Sequence, residues 1–207
     1  MNTQETIKMV QMICERTIAA KEELCKLDSF VGDGDHGFTV ERGFKAVREV
    51  MADGSFATPK EVLEATGDEL ADTMGGAIGL IIGGLFSGGA ESIGDTDELD
   101  SAGVYKLLSG GLEEIKAIGG AKEGDRTLID ALSPACDAYK AAMEEGLGLC
   151  ECLSKAADAA EAGSKATANM VAKKGRAKFL QEESRGYVDA GSATMATIIR
   201  AMSDCVK

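Results

Sequence analysis

Histidine occurs once in this chain, at His36, and proline twice, at Pro59 and Pro134. The six cysteines (Cys14, Cys25, Cys136, Cys150, Cys152 and Cys205) include no CxxC pair. With a single imidazole beside them they form no zinc constellation, and they read as reduced thiols of a cytosolic protein. Positive charge is scarce: 22 Lys and Arg stand against 35 Asp and Glu, a net charge of −13. That balance argues against nucleic acid and anionic membrane surfaces as partners. No Gly-Lys-Ser/Thr phosphate loop occurs, and the N-terminus lacks the basic-then-apolar pattern of a secretion signal. The uncharged run from Thr73 to Ala90 approaches membrane-spanning length. It is rich in glycine and has no flanking anchors, so no membrane span is expected and the chain is expected to be cytoplasmic.

What the chain does carry is concentrated in Leu27-Asp28-Ser29-Phe30-Val31-Gly32-Asp33-Gly34-Asp35-His36-Gly37. Three carboxylates repel one another at such spacing unless a cation neutralises them. An all-oxygen set suits a hard divalent ion, Mg²⁺ or Ca²⁺, rather than zinc. The glycines let backbone N–H groups approach an anion. Together these features point to a polyphosphate held through metal ions, against the plainer reading of an acidic turn with helix-capping aspartates. The match of Gly32, Gly34 and Gly37 to a dinucleotide fingerprint has no preceding strand and carries acids that would repel a pyrophosphate. An EF-hand loop beginning at Asp33 would need an acid at Gly37 and a glutamate at Phe44.

Scarce proline, abundant Ala, Glu, Lys and Leu, and little alternation predict an all-α chain over 1–207, folded as one domain. Apolar residues at helical spacing predict a first helix from Ile7 to Leu27 and a second through Val40, Phe44, Val47 and Met51. Thr58-Pro59-Lys60-Glu61 is a capping box that starts a third. Gly75–Ala90 is either a tightly packed helix or a loop entering one. Further helices are expected from Val104 to Ile118, Thr127 to Glu145, Leu149 to Val171, and after Gly191. Eight segments without a repeat suggest one bundle or α-barrel. Joins at alternate helix ends lie at one end of such a bundle. The acidic turn, the segment 119–127 and the segment 173–191 can therefore converge on one ligand.

Lys173, Lys174, Arg176 and Lys178 form a basic knot, either a solvated helix terminus or a source of charge for phosphate oxygens. Thr39 opens the second helix as a plain N-cap or as an anion contact. Gly75-Gly76-Ala77-Ile78-Gly79 allows close packing or close approach to a ligand. His36 could serve as base, phosphate donor or core residue.

The chain resembles the ADP-binding L subunit of dihydroxyacetone kinase almost end to end. The resemblance is carried by Asp28-x4-Asp33-Gly34-Asp35-His36-Gly37, Arg42-Gly43-Phe44 and Gly75-Gly76-Ala77. It continues in Gly124-Asp125-Arg126-Thr127-Leu128-x-Asp130-Ala131-Leu132, Lys174-Gly175-Arg176-Ala177-x-Phe179-Leu180 and Ser184-x-Gly186-x-x-Asp189-x-Gly191. It implies a barrel of eight antiparallel helices with ADP or ATP at one end, and two Mg²⁺ on Asp28, Asp33 and Asp35. His36, Gly37, Phe38 and Thr39 would line the phosphates. Ala77, Ile78, Gly119, Leu128, Arg176 and Asp189-Ala190-Gly191 would surround the rest of the nucleotide, with His36 and Arg176 as the catalytic pair. The implied partners are a K subunit that binds dihydroxyacetone covalently through a histidine and, in phosphotransferase-linked versions, a phosphocarrier M subunit. Other small ketoses such as erythrulose are alternative acceptors, and a nucleotide-loaded regulatory module is an alternative without transfer. A homodimer stays open, since no residue pattern speaks to it. Three positions depart from the family pattern: Thr39 where Asn is frequent, Ile78 where Ser or Thr is usual, and Ala190 where Pro is usual.

Overall fold

The computed structural model describes residues 1–207. It contains nine α-helices: α1 (Thr3–Ala19), α2 (Lys21–Ser29), α3 (His36–Asp53), α4 (Pro59–Met74), α5 (Gly76–Ile93), α6 (Ser101–Gly119), α7 (Ile129–Glu144), α8 (Leu149–Ala166) and α9 (Ala190–Cys205). Two 3₁₀ stretches, Thr167–Asn169 and Arg176–Ser184, lie between α8 and α9. There is no strand, only a lone bridge between Asn2 and Glu98. The all-α reading is correct.

Local chemistry accounts for most of the boundaries. Asn2 and Glu5 form a reciprocal capping box at α1. Thr58 accepts from Glu61 N–H, with Pro59 at the first helical position of α4. Asp100 and Asp189 cap α6 and α9. The expected first helix is two helices, because the chain shifts at Ala20, whose N–H bonds back to the Arg16 and Ile18 carbonyls. No glycine or proline announces that break. The alternatives for Gly75–Ala90 resolve to a helix. The helix expected to reach Val171 ends at Ala166, where Thr167 turns the chain by donating to the Ser164 carbonyl at 2.6 Å. Pro134 inside α7 cannot bond to the Asp130 carbonyl, and Gly163 of α8 packs against that carbonyl: a Cβ there would lie 2.2 Å from it.

Helices that follow one another pack on one another from α3 to α9, and α1 packs on both α3 and α9. The ring is thereby closed, with α1 and α2 sharing the place between α3 and α9. One hydrophobic core draws on all nine helices, from Val10 and Leu24 to Phe44, Phe86, Leu132 and Ile199. Helix α5 is long and apolar enough to cross a membrane. Its inward residues Ile82, Leu85, Phe86 and Ile93 nevertheless belong to this core, between α4 and α6.

Alternation of direction sorts the joins. The N-terminus, the α3–α4 join and the α5–α6 join meet at one end, where Met1 N donates to Leu99 O at 2.5 Å and Thr3 Oγ1 to Ala57 O at 3.1 Å. The joins after α2, α4, α6 and α8 lie at the other end, hereafter the mouth.

Candidate active site at the mouth of the barrel

The acidic turn is built on the end of α2. The Asp28 carbonyl accepts the N–H groups of Val31 (3.0 Å) and Gly32 (2.6 Å). Its carboxylate accepts Gly34 N–H at 2.8 Å, with Gly34 at φ +75°, a conformation suited to glycine. Gly37 lets α3 begin against α2, since a Cβ there would lie 2.1 Å from the Lys21 carbonyl. The turn brings one ligand oxygen each from Asp28, Asp33 and Asp35 within 4.8 Å of one another. The Arg176 guanidinium pairs with Asp33 and lies 4.0 Å from Asp35. One guanidinium against three carboxylates leaves excess negative charge on oxygen donors alone, a set that fits a hard divalent cation.

His36 opens α3, and its Nε2 lies 2.8 Å from Thr194 Oγ1 of α9. Burial pushes its pKa below the ordinary value against the pull of Asp28, so the neutral imidazole is favoured. Thr39 is not the N-cap: α3 starts three residues earlier, and Thr39 N–H bonds to the Asp35 carbonyl at 3.0 Å. Phe38 is exposed beneath the Lys21 ammonium, 4.3 Å from its ring centre.

The second and third joins interlock. Asp130 at the start of α7 accepts Gly124 N–H (2.6 Å) and Thr127 N–H (2.8 Å), fixing the turn that follows Gly119. Lys173 N–H bonds to Asp125 O at 3.1 Å, and its ammonium pairs with the buried Asp125 carboxylate at 3.2 Å. Lys174 reaches the Gly119 carbonyl at 3.4 Å. Arg126, 1 % exposed and at φ +62°, donates from Nη2 to Tyr187 O at 2.8 Å, while its Nε and Nη1 have no partner. The Tyr187 ring stacks on Phe30 of the acidic turn at 4.7 Å. Asp189 accepts Ser192 N–H at 2.7 Å. Its pKa is pushed up to about 6, chiefly by desolvation, with Arg126 opposing the shift. Gly191 packs beside Leu128.

At the fourth join, Arg42 donates to the Thr73 (3.0 Å) and Met74 (2.7 Å) carbonyls at the end of α4. Gly75 and Gly76, both at positive φ, then open α5 with free space around them. Ala77 is exposed, and Ile78 is half-buried against the core. Ile81 of the same helix reaches Gly119 at the end of α6.

Side-chain contacts thus join Asp33 and Asp35 to Arg176, His36 to α9, and 124–128 to 173–191. The pairing of His36 with Thr194 and that of Arg126 with Tyr187 left no trace in residue spacing. Six large apolar residues are exposed in the molecule, Phe30, Phe38, Leu80, Ile118, Phe179 and Tyr187, and all stand at the mouth.

A DAK2 domain match spans residues 30–204. The PEP-dependent dihydroxyacetone kinase ADP-binding subunits DhaL of Listeria innocua and Escherichia coli are 31 % and 30 % identical, over 91 % and 90 % of this chain and 89 % of each subunit. A D-erythrulose kinase of Mycolicibacterium smegmatis is 33 % identical over 94 % of the chain. The present chain spans only 34 % of that enzyme's length. The crystal structure of the C. freundii dihydroxyacetone kinase superposes with a TM-score of 0.74 at 27 % identity, over 96 % of this chain and 34 % of that one. The form in complex with AMP-PNP and Mg²⁺ gives a TM-score of 0.73 at 26 % identity over 96 % of this chain and 33 % of that one. Fold, ordered motifs and near-full-length similarity agree, and the chain belongs to the DAK2 domain family.

Proposed function

We propose that this chain is the nucleotide-binding, phosphoryl-transfer subunit of a dihydroxyacetone kinase. In this reading it holds ADP or ATP at the mouth and passes the phosphoryl group to a ketose bound covalently on a separate K subunit. The observation that carries the reading is the cluster of Asp28, Asp33 and Asp35, with ligand oxygens within 4.8 Å of one another and Arg176 arriving from the third join. The ADP-binding subunits among its relatives, and a structural relative seen with AMP-PNP and Mg²⁺, support it.

Asp28, Asp33 and Asp35 would hold two Mg²⁺ ions, whose chemistry when bound is to screen the phosphate oxygens. The chain's own part is positioning and charge neutralisation, which is most of what phosphoryl transfer asks of a protein. Arg176, exposed and paired with Asp33, is free to turn to phosphate oxygens, and so acts as a catalytic cation. The first turns of α3 and α5 offer unpaired N–H groups at Gly37, Phe38, Ala77 and Ile78. Thr39 adds a hydroxyl, whereas Ile78 contributes no side-chain donor. Gly119, Leu128 and Asp189-Ala190-Gly191 frame the remaining nucleotide, and His36 stands beside the acids. The six apolar residues at the mouth suit a docking K subunit better than open water. Six free cysteines fit a reducing cytoplasm.

Native mass spectrometry of the purified protein tests the proposal. ADP with two Mg²⁺, lost on chelation, is the expected adduct and would point to a bound nucleotide rephosphorylated in place by a phosphocarrier M subunit; two relatives are named as ADP-binding subunits of PEP-dependent kinases. Exchange with added Mg·ATP would point to a free donor instead. Asp33→Asn is expected to weaken ADP binding on the order of a hundredfold in titration calorimetry while leaving the fold intact. Full ADP affinity in that variant would overturn the metal-bridged site. Erythrulose as acceptor is the second reading, favoured by the D-erythrulose kinase at 33 % identity and an L-erythrulose kinase of Pectobacterium atrosepticum at 35 %. Assay of both ketoses with a K subunit separates the two.

A further inference from the structure

The imidazole of His36 is tied to α9 through a hydroxyl whose own hydrogen is already used. Nε2 lies 2.8 Å from Thr194 Oγ1. That hydroxyl donates to the Ala190 carbonyl, one turn back, at 3.0 Å. A threonine hydroxyl has one hydrogen to give and two lone pairs to offer. With its hydrogen on Ala190, Thr194 Oγ1 accepts from the ring, so Nε2 carries the proton. The opposite arrangement would turn the hydroxyl's one hydrogen to a bare nitrogen and give up its bond to the Ala190 carbonyl, leaving one hydrogen bond where the first arrangement makes two. Asp28 acts on the ring's charge from a distance but makes no hydrogen bond with it; its carboxylate is engaged by Gly34 N–H.

We propose that Thr194 is a positioning residue that fixes His36 as the Nε2–H tautomer, leaving Nδ1 as an acceptor. His36 then takes a hydrogen from a hydroxyl or water at the mouth and does not donate to a phosphate oxygen, which has only lone pairs to offer. The assignment of the tautomer is independent of the nucleotide reading; the role given to Nδ1 rests on it.

Because His36 is the only histidine, an imidazole-¹⁵N-labelled sample gives one pair of ring-nitrogen signals. At about pH 8.5, above the ordinary imidazole range, the expected spectrum has a protonated Nε2 and a bare Nδ1, unchanged by added Mg·ADP. Thr194→Val removes the hydroxyl with little change of shape and should let the proton distribute over both nitrogens; Thr194→Ser should restore the single tautomer. In a ketose-phosphorylation assay with a K subunit, Thr194→Val should lower kcat by about tenfold or more with nucleotide KM unchanged, and Ser should restore it. A proton on Nδ1 in the wild-type protein, or one appearing there with Mg·ADP, would overturn the proposal. So would a valine variant with the wild-type tautomer. Should the valine variant fail to fold, the wild-type spectra with and without Mg·ADP still decide. Loss of all transfer and nucleotide binding in the wild type would overturn the nucleotide reading and leave the tautomer standing or falling on its own spectrum.

Discussion

Gly83 and Gly75 are close in sequence and differ in every physical respect. A Cβ on Gly83 would lie 2.6 Å from the Gly67 carbonyl, inside the contact between α4 and α5. A Cβ on Gly75 would meet nothing within 4 Å, yet its backbone sits at φ 70° and ψ 167°. The first glycine is there for what it lets come near, the second for the shape it lets the chain take. The contrast extends to whole regions. Gly67, Gly83, Gly88, Gly89, Gly110 and Gly111 knit α4, α5 and α6 backbone to backbone. At the mouth, Gly34, Gly75, Gly76, Gly120, Gly124, Gly175 and Gly186 all take positive φ. The mouth also carries costs that the packed side avoids: Arg126 with two unpartnered nitrogens, a raised Asp189, and clustered acids. Such costs persist where function needs them.

The largest effect is expected at the packed side. Gly111→Val drives a side chain into the Leu85 carbonyl, where a Cβ alone would lie at 2.4 Å. A loss of about 3 kcal/mol is expected in urea unfolding, with ADP affinity of the folded fraction unchanged. If affinity fell with stability, the two regions would not be independent. Gly75→Ala comes next: with no clash, its cost is conformational, about 2 kcal/mol. It should weaken nucleotide binding as well, because it reshapes the start of α5. The effect of Asp189→Asn is visible as a pH dependence. The folded protein holds a proton on Asp189 up to about pH 6, above the unfolded carboxylate's ordinary value of 3.8. Folding therefore binds protons across that window, and this group's contribution to stability falls as pH rises through it. Asparagine cannot ionise, so the variant should match the wild type near pH 4 and gain on it by pH 7 in thermal melts. A flat difference would place Asp189 in ordinary solvent.

Features written in local chemistry were legible in the sequence. Thr58-Pro59 announced α4, apolar spacing announced each core helix, and alternation of helix direction allowed the joins to meet. The three aspartates were found because their repulsion needs a remedy wherever they lie. The break at Ala20 leaves no mark in the sequence because a helix can shift register with every residue still right-handed. The pattern runs on to Val171 because nothing in Thr167 reveals that its hydroxyl serves Ser164 and Asp189 together. Thr39 has the chemistry of a helix start, yet Asp35 is the residue that precedes the first turn of α3. Contacts such as His36 with Thr194 join residues 158 apart and depend on how the ring of helices closes. A periodicity argument does not reach them.

Closure of the ring between first and last helices also sets the reach of anything attached to the chain. Met1 is bonded at the α5–α6 join, and α9 runs away from Asp189, so both termini emerge at the end remote from the mouth. An 18-residue helix such as α3 is about 27 Å long. A flexible tether of on the order of 25 residues has that r.m.s. span. A partner fused to either terminus therefore has the length of the barrel to span before it meets the mouth of its own molecule, a demand that an untethered partner does not face.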